Sequence, residues 1–183
     1  HNAVGSPLYN SYDDMNSDTE RILACDNMTN ILTESEGKTT SGWKGVKPQQ
    51  LPTLKGTTVP DFSLQDLRKL ACGPYALKLA IPYYRHAQNI KYMRHGRYPH
   101  SIRCVGIISR HSRNNKSNTK YRVYHRFDAD GDIMKTQSYC TCGVGRRTVC
   151  LCAHMCASLY VLYHQMNGID IPNRCKPVSY THL

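Results

Sequence analysis

Five of the chain's nine cysteines fall between residues 140 and 156, with His154 among them. A disulfide framework spreads its cysteines so that bridges close long loops. Thiols crowded into one hairpin-sized stretch beside an imidazole point instead to metal ligation in a reducing compartment. Cys140 and Cys142 stand two apart at the end of a β-rich run, so period-two alternation sends both thiols to one side. Gly143 and Gly145 let the chain turn back sharply. Cys152 then precedes a helical pattern and His154 falls in its first turn, where the helix N-terminus favours thiolate over thiol. Two thiols from a strand end plus a Cys and a His from a helix start can make a tetrahedral site. The candidate ligands are therefore Cys140, Cys142, Cys152 and His154, and the ion expected is Zn2+. The bland alternative, small buried thiols and a helix-capping His, has to explain four ligand-type residues at this spacing. A Cys/His mix at a hairpin–helix junction favours zinc over an iron–sulfur cluster. Four protein ligands leave no open position, so the expected role is structural, and Cys152→Ser is expected to unfold the hairpin–helix unit. Cys156 falls among apolar helix neighbours and is expected in the core, while Cys25, Cys72, Cys104 and Cys175 are expected as free thiols.

The last helix is predicted from about Ala153 to Gln165, with Met155, Leu159, Leu162 and Met166 on one face and Asn167-Gly168 closing it. Tyr121 to Phe127 alternates as a strand, with Tyr121, Val123, His125 and Phe127 on one face and Arg122, Tyr124 and Arg126 on the other. Asp128-Ala-Asp-Gly131 is a hairpin turn, and Ile133 to Tyr139 is the expected return strand. Ile102 to Ser109 is a further strand whose Gly106 marks a bulge. Upstream, Ser63 is an N-cap for a helix with Leu64, Leu67 and Leu70, and Gly73-Pro74 interrupts it. A second helix is expected from Tyr75 to about Met93, with a kink at Pro82 and an end at Gly96 and Pro99. The fold class is α+β: a basic helical segment, then a small antiparallel sheet ending in a zinc-bound hairpin–helix.

Charge divides the 183 residues unevenly. Residues 1–60 hold 5 basic and 7 acidic side chains, whereas residues 61–183 hold 19 basic and 6 acidic ones. Between Leu67 and Phe127 there are 14 Lys/Arg and no Asp or Glu, which favours a polyanionic partner, nucleic acid or an acidic protein face. Arg110, Arg113, Lys116, Lys120, Arg122, Arg146 and Arg147 could line one face with Tyr121 and Tyr124, which suits phosphate contact with base stacking. The longest apolar run, Met155 to Tyr163, is far too short to cross a bilayer.

Cys-x-Cys, nine residues, then Cys-x-His resembles the SWIM-type zinc finger, and the resemblance covers about Tyr121–Tyr163. The longer stretch is similar to metazoan SWIM proteins linked to transposable elements. It carries, in order, Asp66-Leu-Arg-Lys-Leu-Ala-Cys-Gly73, Tyr75, Leu77-Lys-Leu79, Ser109-Arg-His-Ser112, Gly145 and Arg147. The resemblance implies a zinc module that contacts nucleic acid or protein, in a transposon-derived protein with an intracellular, nuclear setting. One departure is Cys150, a thiol the four-ligand pattern does not call for, which could compete for the Cys152 position.

No catalytic constellation stands out, and the chain is not expected to be an enzyme. His86, His95, His100, His111 and His125 have no carboxylate near them in sequence to orient a general base. Asp128, Asp130 and Asp132 resemble the start of a calcium loop but lack its bidentate Glu. Two alternatives remain open. The chain could be the C-terminal accessory region of a transposase or nuclease whose catalytic carboxylates lie upstream. A secreted disulfide protein would bind no metal and leave at most one titratable thiol. The expected organisation is a disordered linker, or the tail of a missing upstream domain, over 1–60, with Trp43 a candidate anchor and a short helix over Thr19–Cys25. A basic helix–strand segment follows over 61–119, the zinc finger over 120–168, and a tail over 169–183. Residues 177–183 are what CCT-GTC-TCT-TAT-ACA-CAT-CT encodes, a string that resembles a sequencing-library adapter, and they are expected to be a library scar with no part in the fold.

Overall fold

The computed structural model describes residues 42–84, 86–108, 120–142 and 150–172. Several expectations fall outside these residues: the Thr19–Cys25 helix, Cys25, the Ser109–Ser112 motif, the 113–118 loop, the Gly143/Gly145 turn, Cys175 and the 177–183 tail.

Five strands run consecutively in one antiparallel sheet: β1 (Trp43–Val46), β2 (Lys91–His95), β3 (Ser101–Ile108), β4 (Lys120–Arg126) and β5 (Gln137–Cys140). Among the described residues three α-helices accompany it: α1 (Leu64–Leu70), α2 (Pro74–Tyr84) and α3 (Ala153–Met166). The fold is therefore α+β, as the pattern predicts. Helix α1 starts at Ser63, whose hydroxyl accepts from the Asp66 amide at 3.1 Å while the Ser63 amide donates back to the Asp66 carboxylate at 2.9 Å. The bonds from Ser63 also hold the Asp66 carboxyl below its usual range.

Helix α3 is the centre of the core. Met155, Cys156, Leu159, Val161, Leu162 and Met166 are all buried, so the predicted apolar stripe and the core placement of Cys156 hold. Burial of each large side chain contributes about 1.5–3 kcal/mol. Tyr84 of α2 stacks on Tyr160 of α3 with centroids 4.0 Å apart, and Phe62 meets Tyr163 at 5.7 Å. The sheet presents Tyr92, Cys104, Val123, His125 and Cys140 to α3, a set fixed by their cross-strand pairing.

Four expectations need correction. The second helix ends at Tyr84, and Lys91–His95 is a strand rather than its continuation. Pro82 has no amide to donate, and β2 gains ladders with both β1 and β3, which outweigh a helical period over five residues. The tail drawn to residue 60 is also too long. Trp43–Val46 pairs with β2, a 3-10 turn spans Pro48–Leu54, and Trp43, Leu51, Leu54 and Val59 are buried. Nor does a boundary fall between 119 and 120, because β3 and β4 pair within one sheet. Finally, the return strand starts at Gln137, since Asp132 accepts from the Met134 amide and caps a 3-10 turn over Ile133–Lys135.

Behind the sheet, His125 is fully buried, with Nδ1 2.7 Å from the Ser138 hydroxyl and Nε2 hydrogen-bonded to the Ser158 hydroxyl of α3. Burial lowers its pKa to about 3. The folded value lies below the ordinary 6.5, so the unfolded chain takes up the proton first. Stability is therefore full above pH 6.5 and lost as pH falls toward 3. Between pH 6.5 and 5 the loss from this group is about 1.6 kcal/mol. Urea unfolding of His125→Gln at both pH values is expected to be less pH-dependent than wild type by that amount. Equal slopes for the two proteins would remove His125 as the cause.

Candidate metal centre

Strand β5 ends at Cys140, and the ladder extends one residue further. The Thr141 amide donates to the Arg122 carbonyl at 3.1 Å, and the Arg122 amide donates to the Thr141 hydroxyl at 3.0 Å. This clamp carries Cys142 past the strand end with its thiol on the side of Cys140. From the other direction, Cys152 is the N-cap of α3 and His154 sits in its first turn. The Cys152 carbonyl accepts from the Cys156 amide at 2.9 Å, so the first helical hydrogen bond locks the residue in place.

The four predicted ligands meet. One ligand atom from each of Cys140, Cys142, Cys152 and His154 lies within 4.8 Å of all the others. Cys142 Sγ and Cys152 Sγ are 3.8 Å apart, and His154 Nδ1 is 3.7 Å from Cys140 Sγ and 3.9 Å from Cys152 Sγ. A tetrahedral ion with bonds of about 2.3 Å to sulfur and about 2.0 Å to nitrogen requires edges of about 3.8 Å and 3.6 Å. These three edges match, and the other three lie within 4.8 Å. They are far longer than a disulfide bond, and all seven described cysteines are free. The three thiols are buried. Hydrogen bonds with Cys142 and then Cys152, together with burial, push the Cys140 thiol well above its ordinary value, so thiolates here call for a cation.

Cys150 does not join the cluster. Its thiol hydrogen-bonds to that of Cys72, which together with burial raises its pKa. Cys72 and Cys104 are free, as expected.

A residue the sequence does not flag completes the site. Tyr83 of α2 places its hydroxyl 3.0 Å from His154 Nε2. With Nδ1 facing the thiols, Nε2 carries the proton and donates to the Tyr83 oxygen. The Tyr83 and Tyr121 rings flank the imidazole at 4.9 Å and 4.4 Å. Partners of this kind orient a ligand and raise its basicity. Tyr83→Phe is expected to weaken metal binding about 10-fold or more, read by competition with a chromophoric chelator. An unchanged affinity would reduce Tyr83 to packing.

No family model, curated protein or solved structure matches the chain. Its chemistry must be read from the site itself.

The basic set is only partly placed. Lys120 and Arg122 lie on β4, whereas Arg110, Arg113, Lys116, Arg146 and Arg147 lie outside the described residues. Tyr121 does not share a face with Arg122 and Tyr124. It alternates to the other side of β4 and packs on His154. Among the described residues no helix is long and apolar enough to cross a membrane.

Proposed function

We propose that the chain is a structural zinc module of the SWIM type, from a transposon-derived protein, which contacts nucleic acid and is not itself an enzyme. The observation that carries this reading is the agreement of the thiol and imidazole separations with the edges of a tetrahedral Cys3His site. Four protein ligands close such a site, which leaves the ion no position for substrate and gives it a structural task. Three thiolates and one imidazole select zinc among the common divalent ions. Thiolate ligation goes with a reducing, intracellular compartment, and the basic balance of residues 61–183 goes with a polyanion there.

The test is metal content by mass spectrometry on the purified full chain, with cobalt substituted for zinc as a spectroscopic probe. One zinc per chain is expected, and cobalt absorption of the tetrahedral three-thiolate kind. A folded, metal-free protein, or a cobalt spectrum with a water ligand, would overturn the reading.

A further inference from the structure

The five strands carry seven Lys/Arg and no Asp or Glu. Alternation sends most of these cations to the face of the sheet turned away from α3. On β4 the outward positions are Lys120, Arg122, Tyr124 and Arg126. The row would be interrupted at Tyr124, but Arg103, its partner on β3, fills the gap. The Arg103 guanidinium lies over the Tyr124 ring, 5.8 Å from its centroid. Four cations thus stand in one line, in the order Lys120, Arg122, Arg103, Arg126. Three steps of two residues make the line about 20 Å long.

Two further observations point to a ligand on this face. Arg103 Nε and Gln137 Oε1 are buried with no hydrogen-bond partner, and both belong to outward positions of the sheet. Beside the line, the half-buried Tyr139 pairs with Tyr124, their ring centroids 6.3 Å apart. Cations in file beside an aromatic ring suit a strand whose phosphates track the charge while a base stacks on the ring. Paired bases in a duplex do not offer that face. Arg122 and Arg126 already have partners within the chain, so a phosphate exchanges for them rather than filling a void.

The geometry points to the outer face of β3–β5 as a track for single-stranded nucleic acid, with Arg103 and Arg126 as phosphate contacts. The inference rests on the nucleic-acid reading above and places it on the sheet.

The experiment is fluorescence anisotropy of a labelled single strand of about 16 nucleotides with the zinc-loaded full chain, between about 50 and 200 mM salt. R103Q/R126Q is expected to lose at least 10-fold in affinity and to lower the salt slope by about 1.4. R68Q/K69Q on α1, with the same change of charge, is expected to bind like wild type. Retention of one zinc per chain checks that each variant is folded. Wild-type binding by R103Q/R126Q would overturn the track and leave the nucleic-acid reading standing. Equal displacement of the probe by a duplex of the same length would overturn the single-strand assignment. No oligonucleotide binding, or equal displacement by polyglutamate, would overturn the nucleic-acid reading and the track with it.

Discussion

Chelating the metal is expected to unfold the packed body that begins at Trp43, and not merely the hairpin and helix that hold the ion. The argument is one of magnitude. Structural zinc contributes about 10–16 kcal/mol in finger peptides, whereas a whole domain is stable by about 5–15 kcal/mol. Two of the four candidate ligands, Cys152 and His154, sit at the start of α3, which is also the helix around which the core is packed. Losing the ion therefore loosens the element that every layer touches. Cys152→Ser should act in the same way, because a serine hydroxyl stays protonated at neutral pH and is a poor fourth ligand. Trp43 supplies a distant reporter. It is the only tryptophan, it is buried, and it lies on β1, at the opposite edge of the sheet from β5. The expected result is a fall in helical circular dichroism together with a red shift of Trp43 emission, both reversed by added zinc. A fall in helix signal with Trp43 still buried would confine the unfolding to the hairpin–helix unit, the narrower outcome that the sequence suggests. An unchanged helix signal would mean that the ion is not structural.

What could be read in advance, and what could not, follows the range of the interactions. Ser63 and Asp66 cap a helix through atoms three residues apart, so their pattern is visible locally. Cys-x-Cys and Cys-x-His each bring two ligands together within one element end, and only their meeting is long-range. Trp43–Val46 is different. Nothing in Trp-Lys-Gly-Val, followed by Lys47-Pro48, favours a strand alone, and the edge of β2 makes it one. Lys91–His95 shows the same limit, because five residues with apolar side chains at Tyr92 and Met93 fit either period. The strand face of His125 is visible in the alternation of β4. Its partner Ser158 lies 33 residues away and is not. Tyr83 is the clearest case for the site. It lies 71 residues from His154, and only the packing of α2 on α3 brings its hydroxyl to the imidazole.

Gly106→Ala is expected to cost on the order of 3–5 kcal/mol, and to loosen the metal centre from a position that touches none of its ligands. Gly106 has φ +96°, a region that L side chains rarely adopt. An added Cβ would overlap the Asn89 carbonyl oxygen and stand 2.8 Å from its carbon, and both are backbone atoms that cannot swing aside. The glycine makes the bulge in β3, between Cys104, which pairs with Val123, and Ile107, which pairs with Tyr121. If the bulge is forced open, Tyr121 shifts, and with it the ring that packs on His154. Gly131→Ala separates the two causes. Gly131 has φ +86° but nothing within 4 Å of the added Cβ, so it reports the conformational cost alone, about 1 kcal/mol. Urea unfolding of the zinc-saturated chains should therefore place Gly106→Ala at least about 2 kcal/mol below Gly131→Ala, with unchanged m-values. A competition assay should show weaker zinc binding only for Gly106→Ala. Equal losses for the two variants would mean that the backbone at Asn89 yields to the added methyl and that the bulge does not hold the register on which Tyr121 depends.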